Sequence, residues 1–153
     1  MKQISEGDKF PSFRLPNQEG QIIDSTNFLG RKPLVIYFYP KDETAGCTAQ
    51  ACAFRDSYQD FRDAGAEVIG ISSDSSDDHQ KFAEHHRLPF VLLADAKGEF
   101  RNTVGVPGSM LGLLPGRVTY IIDKAGIVRY IFNSQLNIKK HISESLKVLT
   151  SLS

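Results

Sequence analysis

The sequence predicts an α/β fold, a central mixed β-sheet flanked by helices on both faces. Three observations predict it. Short apolar runs of strand type alternate with helical patterns, a turn sequence then joins two further strand segments, and an amphipathic helix closes the chain.

The run P-L-V-I-Y-F-Y at 33–39 is rich in β-branched and aromatic residues and is closed by Pro40, which suits a strand buried on both faces. After the turn-like K-D-E-T-A-G, Cys47, Ala51, Phe54, Tyr58 and Phe61 recur at steps of three and four. That spacing predicts a helix from near Cys47, with Gly65 at its C-terminus. A second strand falls on A-E-V-I-G-I-S at 66–72. D-S-S-D at 74–77 then offers cap residues for a helix carrying Phe82, Ala83 and His86, which Pro89 stops.

F-V-L-L at 90–93 forms a third strand. The segments 117–122 and 127–132 flank D-K-A-G and predict a hairpin. A last helix places Ile138, Ile142, Leu146 and Leu149 on one face. This order of elements is that of a thioredoxin-like fold. The Gly- and Pro-rich stretch from Gly105 to Gly116 is expected to be a long loop within the domain, with Met110, Leu111, Leu113 and Leu114 packing beneath it.

The 153 residues, 41% hydrophobic and 24% charged, suit one domain spanning 1–153. Basic and acidic residues balance at 18 each, so no bulk field draws the chain onto nucleic acid or an anionic membrane. The N-terminus has no apolar core of signal-peptide length, and the longest apolar run, Pro33 to Pro40, is too short to span a membrane; the chain is expected to be cytoplasmic, or plastid-located if a transit peptide has been removed. Two cysteines are too few for a disulfide-stapled scaffold, so their meaning lies in their position.

Cys47 falls where a strand ends, a loop turns and a helix begins. Its sulfur there meets the free N–H groups and positive end of the helix, a setting that favours thiolate. Thr44 can turn its hydroxyl to the same spot, and Pro40 fixes the chain and shields the thiol. Reduction of a peroxide needs a thiolate to attack one oxygen, donors to polarise the O–O bond and stabilisation of the leaving oxygen. Thr44, the backbone N–H groups near Gly46 and Cys47, and a nearby cation would meet those needs.

The residues P-K-D-E-T-A-G-C, from Pro40 to Cys47, resemble the peroxiredoxin active-site pattern P-x-x-x-T-x-x-C. The wider stretch from Tyr37 to Asp56 is similar to the bacterioferritin comigratory protein and peroxiredoxin Q branch. G-I-S-S-D, L-P-F-V-L-L-A-D, G-L-L-P-G-R-V-T-Y-I-I-D and I-F-N-S-Q-L extend the resemblance over nearly the whole chain. It implies a peroxiredoxin fold and reduction of hydrogen peroxide and organic hydroperoxides by a peroxidatic Cys47. Cys52 occupies the place of the resolving cysteine, and Arg117 in P-G-R-V-T-Y that of the cation. The resemblance further implies recycling by thioredoxin or a similar dithiol protein, a monomeric state, and no metal, flavin or nicotinamide. One departure is Ala45, where the family commonly has proline.

On an intact helix, residues five apart lie about 140° around and about 7.5 Å along the axis. Their Cα atoms are then roughly 8.6 Å apart, beyond the about 7 Å that a disulfide tolerates. Closure of a Cys47–Cys52 bond therefore requires the helix start to unwind.

Alternative readings leave their own signatures. Two cysteines five apart on a helix, taken alone, suit buried small residues, and the surrounding motif reverses that preference. A thiol–disulfide oxidoreductase on this fold would present C-x-x-C, and a non-catalytic binding protein would carry inert thiols. His79, His85, His86 and His141 show no H-E-x-x-H pattern and are expected to be solvated or packed. Asp74, Asp77 and Asp78 are accounted for as helix caps. The glycines at 105, 108, 112 and 116 form no nucleotide-binding motif.

Overall fold

The computed structural model describes residues 3–108 and 116–152. The sheet elements are β1 (Arg14–Pro16), β2 (Ile22–Asp24), β3 (Leu34–Phe38), β4 (Glu67–Ser72), β5 (Val91–Ala94), β6 (Val118–Ile122) and β7 (Val128–Asn133). The helices are α1 (Ala45–Asp56), α2 (Tyr58–Asp63), α3 (Ser76–His86), α4 (Glu99–Val104) and α5 (Ile138–Leu152). Met110, Leu111, Gly112, Leu113 and Leu114 lie outside the described residues, so the packing expected of that loop is not part of the picture.

Five strands form a mixed sheet in the order β5-β4-β3-β6-β7. β3 pairs parallel with β4 and antiparallel with β6, and β6 turns back to pair with β7. The central position of β3 explains its composition, because a strand with neighbours on both sides and helices on both faces has no polar side. All five of its residues are buried. Alternation then divides them. Val35 and Tyr37 face a core shared with Phe54, Phe61, Phe82 and Ile142. Leu34, Ile36 and Phe38 face a second core shared with Phe10, Phe13, Phe100 and Val104.

The predicted α/β architecture is thus observed, with four departures in detail. The helix expected from Cys47 to Gly65 is broken at Ser57, whose backbone (φ −101°, ψ 6°) leaves helical geometry. The break lets Tyr58 donate its hydroxyl to Glu67 Oε1 at 2.6 Å. Two elements were not anticipated: the β1–β2 hairpin, and α4, which covers the second core. Asn17 builds the hairpin turn by accepting the N–H groups of Glu19 and Gln21 on its Oδ1. Finally, the buried stripe of α5 carries His141 and Ser145 beside Ile142 and Leu149.

The cap of α3 falls within the expected D-S-S-D stretch. Ser75 accepts the Asp78 N–H at 3.1 Å and is the N-cap, while Asp77 and Asp78 sit in the first turn, where their negative charge interacts favourably with the helix dipole. Asp74 does something else. Its Oδ2 accepts the Ser72 hydroxyl at 2.6 Å and the Asp42 N–H at 2.8 Å, which ties the loop after β3 to the end of β4.

Candidate active site

Parallel β-strands deliver the loops at their C-terminal ends to one edge of the sheet, and the loop after β3 is anchored there on every side. Tyr39 continues the ladder by donating its N–H to Ile71 O at 3.1 Å. Pro40, with no N–H to give, ends the pairing. Asp42 is buried. It accepts the Tyr39 hydroxyl on Oδ1 at 2.5 Å and meets His79 Nδ1 on Oδ2 at 2.6 Å. The other nitrogen of His79 lies 3.0 Å from Leu93 O. Of the expected solvated or packed histidines, His79 and His141 are therefore buried and fully hydrogen-bonded.

Thr44 is the N-cap of α1 by backbone geometry (φ −80°, ψ 153°). Its hydroxyl donates to Lys41 O at 2.7 Å, so its hydrogen is committed to the loop and its oxygen remains able to accept. Cys47 is the third residue of α1 and is 1% exposed, packed in the core that holds Tyr37 and Phe54. Cys52 is on the same unbroken helix and is partly exposed, and both thiols are free.

Arg117 immediately precedes β6 and is buried. Its Nη1 donates to Gln50 Oε1 at 2.6 Å and its Nε to Gln135 O at 3.1 Å. The guanidinium lies against the first turn of α1, so close that a Cβ on Gly46 would stand 2.9 Å from Nη2. Glycine before the thiol is what admits the cation. Thr44 and Cys47 thus stand at the start of α1 with the Arg117 guanidinium against Gly46, Pro40 ends the strand that leads there, and Cys52 lies farther along the helix.

Three comparisons bear on this arrangement. The AhpC/TSA family model matches residues 6–131. Chloroplastic peroxiredoxin Q of Oryza sativa subsp. japonica is 52% identical over 150 residues, 98% of this chain and 69% of the relative. The chain belongs to the AhpC/TSA family.

Within that family its likeness is to the peroxiredoxin Q branch, and its activity is thiol-dependent peroxide reduction. The crystal structure of peroxidoxin BcpB from Mycobacterium tuberculosis superimposes with a TM-score of 0.90 at 34% identity, covering 99% of both chains. A Xanthomonas campestris bacterioferritin comigratory protein, whose alkyl peroxide reduction was studied in trapped complexes, gives 0.83 at 26% identity and 98% coverage of each. The thioredoxin-like fold read from the element order is the fold of these peroxiredoxins.

Two further residues of this peroxiredoxin belong to the site and were not found in the sequence. Gln50 is wholly buried and holds Arg117. Arg101, on α4, donates Nη2 to Tyr39 O at 2.9 Å and Nη1 to Gly116 O at 3.1 Å. Its guanidinium sits 5.5 Å from the centre of the Phe38 ring. Burial lowers its pKa, opposed by the charges of Asp95 and of Cys47 in its ionised form. No motif marks either residue, because each acts through contacts far away in the chain. Among the described residues, no helix is long and apolar enough to cross a membrane.

Proposed function

We propose that Cys47 is the peroxidatic cysteine and Cys52 the resolving one. The observation that carries this reading is Cys47 buried in the first turn of α1 with the Arg117 guanidinium against Gly46. Helix N–H groups and the Arg117 guanidinium meet beside that residue. The thiolate attacks one oxygen of ROOH, forming the S–O bond as the O–O bond breaks. The alkoxide or hydroxide leaves with a proton as alcohol or water, and Cys47 becomes a sulfenic acid.

Thr44 accepts the O–H of the bound peroxide, since its own hydrogen is given to Lys41 O. Arg117 stabilises the charge that develops on the oxygens, and Pro40 shields the sulfur. The first turn of α1 then unwinds and the Cys52 thiolate attacks the sulfenic sulfur, expelling water and closing the disulfide. Thioredoxin or a similar dithiol supplies the two electrons and two protons that restore both thiols. Hydrogen peroxide and organic hydroperoxides are the substrates, in keeping with the alkyl peroxide reduction named for the Xanthomonas relative. The protein acts as a single-domain monomer. The chloroplastic names of its relatives favour the plastid over a cytoplasmic location.

Peroxide consumption with thioredoxin, its reductase and NADPH tests the reading. Cys47→Ser abolishes turnover, and Cys52→Ser stalls after one oxidation unless another thiol is added. Undiminished turnover in Cys47→Ser would overturn the assignment.

A further inference from the structure

Glu43 lies in the peroxidatic loop between Asp42 and Thr44, in the left-handed region at φ 61°. Its carboxylate reaches across to the end of α3. There Oε2 is 2.9 Å from His85 Nδ1 and Oε1 is 2.8 Å from His86 Nε2. The three candidate ligand atoms, one from each residue, all lie within 4.8 Å of one another. His86 is held in place edge-on to Phe82, ring centroids 5.1 Å apart, and lies 4.2 Å from the His85 ring.

We propose that Glu43, His85 and His86 bind one divalent transition-metal ion of the zinc type, tying the peroxidatic loop to α3. Two imidazole nitrogens and one carboxylate oxygen lie within 4.8 Å of one another. That set supplies three ligands of a tetrahedral ion and leaves the fourth to water. Imidazole suits zinc and its neighbours, whereas magnesium and calcium call for a larger set of oxygens. Access is open, with the side chains of His85 and Glu43 67% and 47% exposed, while the His86 side chain at 17% forms the rigid wall.

A second cluster in the same region shows what disqualifies a site. Asp42, Asp74 and His79 also bring three ligand atoms within the same distance. Both His79 nitrogens are already engaged, by Asp42 and by Leu93 O, and Asp74 Oδ2 is occupied by the Ser72 hydroxyl and the Asp42 N–H. That trio is largely buried, and its atoms are also held by groups outside it, the Tyr39 hydroxyl, Leu93 O and the Ser72 hydroxyl. His85 and His86 instead share a single exposed carboxylate.

The sequence hid this site because its carboxylate lies 42 residues from the nearer histidine. The ion cross-links those distant segments directly before the turn of α1 that must unwind, and so slows disulfide closure. This last consequence rests on the two-cysteine reading, while binding does not.

The test uses the full chain with Cys47→Ser and Cys52→Ser, which removes competing thiols. The metal-stripped protein is titrated with Zn2+ by calorimetry and with Co2+ by visible absorption. One ion binds per chain, Co2+ shows the bands of low-symmetry nitrogen and oxygen coordination, and Glu43→Gln, His85→Ala and His86→Ala each weaken binding at least about tenfold. Circular dichroism checks each fold, and exposed His85 can be removed without touching the core. Absence of saturable binding, or binding undiminished by the three substitutions, overturns the site. In the wild type, stopped-flow disulfide formation slows with Zn2+ bound. An unchanged rate with binding intact overturns the tether and leaves the metal site standing.

Discussion

His79 Nδ1 lies 2.6 Å from Asp42 Oδ2, and the two side chains are 0% and 4% exposed. One belongs to α3, the other to the loop that precedes Cys47. Removing that partner leaves the buried Asp42 carboxylate with the Tyr39 hydroxyl alone, at a cost of about 3–5 kcal/mol. His79→Ala is expected to lower stability by that amount in urea unfolding. The Asp42→Ala/His79→Ala double variant should lose less than the sum of the two single changes, which a double-mutant cycle reads directly.

The Arg117 fork is the element of the site that leans most on its neighbours. Replacing it with lysine keeps a charge but loses the planar geometry that meets Gln50 and Gln135 O together. Arg117→Lys should reduce kcat/KM for hydrogen peroxide by about 10²-fold, the scale of losing a preorganised donor. Gln50→Leu, which leaves Arg117 Nη1 without this acceptor, should cost about 1–3 kcal/mol in stability and shift activity in the same direction.

Gly46→Ala separates stability from chemistry. Gly46 is inside α1, where alanine gains about 1 kcal/mol of helix propensity. Its new Cβ would press on Arg117 Nη2 at 2.9 Å. The thermal midpoint should change little, because the helix gain is offset by displacing a buried, hydrogen-bonded guanidinium, while kcat/KM falls at least about tenfold. Unimpaired turnover would show that the guanidinium can move without consequence.

His141 sets an acid limit on the fold. Burial brings its pKa down to about 4, helped by the charge of Arg117 and opposed by the Ser134 carbonyl. Nδ1 accepts the Thr119 hydroxyl and Nε2 donates to Ser134 O, each at 2.7 Å, so the folded state holds the neutral ring. In the unfolded chain the ring titrates near about 6.5. The contribution is therefore complete above about pH 6.5 and is lost as pH falls toward 4, by on the order of 3 kcal/mol. Urea midpoints at pH 7.5 and 4.5 should differ less in His141→Gln than in the wild type.

Long strands and helices were legible because periodicity repeats within them: β3, β4, α3 and α5 show their burial in the spacing of apolar residues. The three-residue strands β1 and β2 and the six-residue α4 are too short for a period to repeat. Asp74 looked like a cap because a cap and a loop anchor use the same residue type before a helix. Arg117 was found through resemblance, not through chemistry visible nearby. Gln50 reaches Arg117 across 67 positions and Arg101 reaches Tyr39 across 62, so single-sequence reading had no local signal for either.

The burial of Cys47 also has a thermodynamic side. As a thiol it packs with Tyr37, Ala51 and Phe54 in the core, whereas in the proposed two-cysteine scheme joining Cys52 pulls its sulfur out and gives up that packing. By linkage, whatever the fold gains from the reduced form raises the reduction potential of the pair above that of the same two thiols in an unstructured chain. The disulfide is then poised to accept electrons, and recycling runs downhill from a low-potential dithiol donor because refolding of the helix contributes to the reaction.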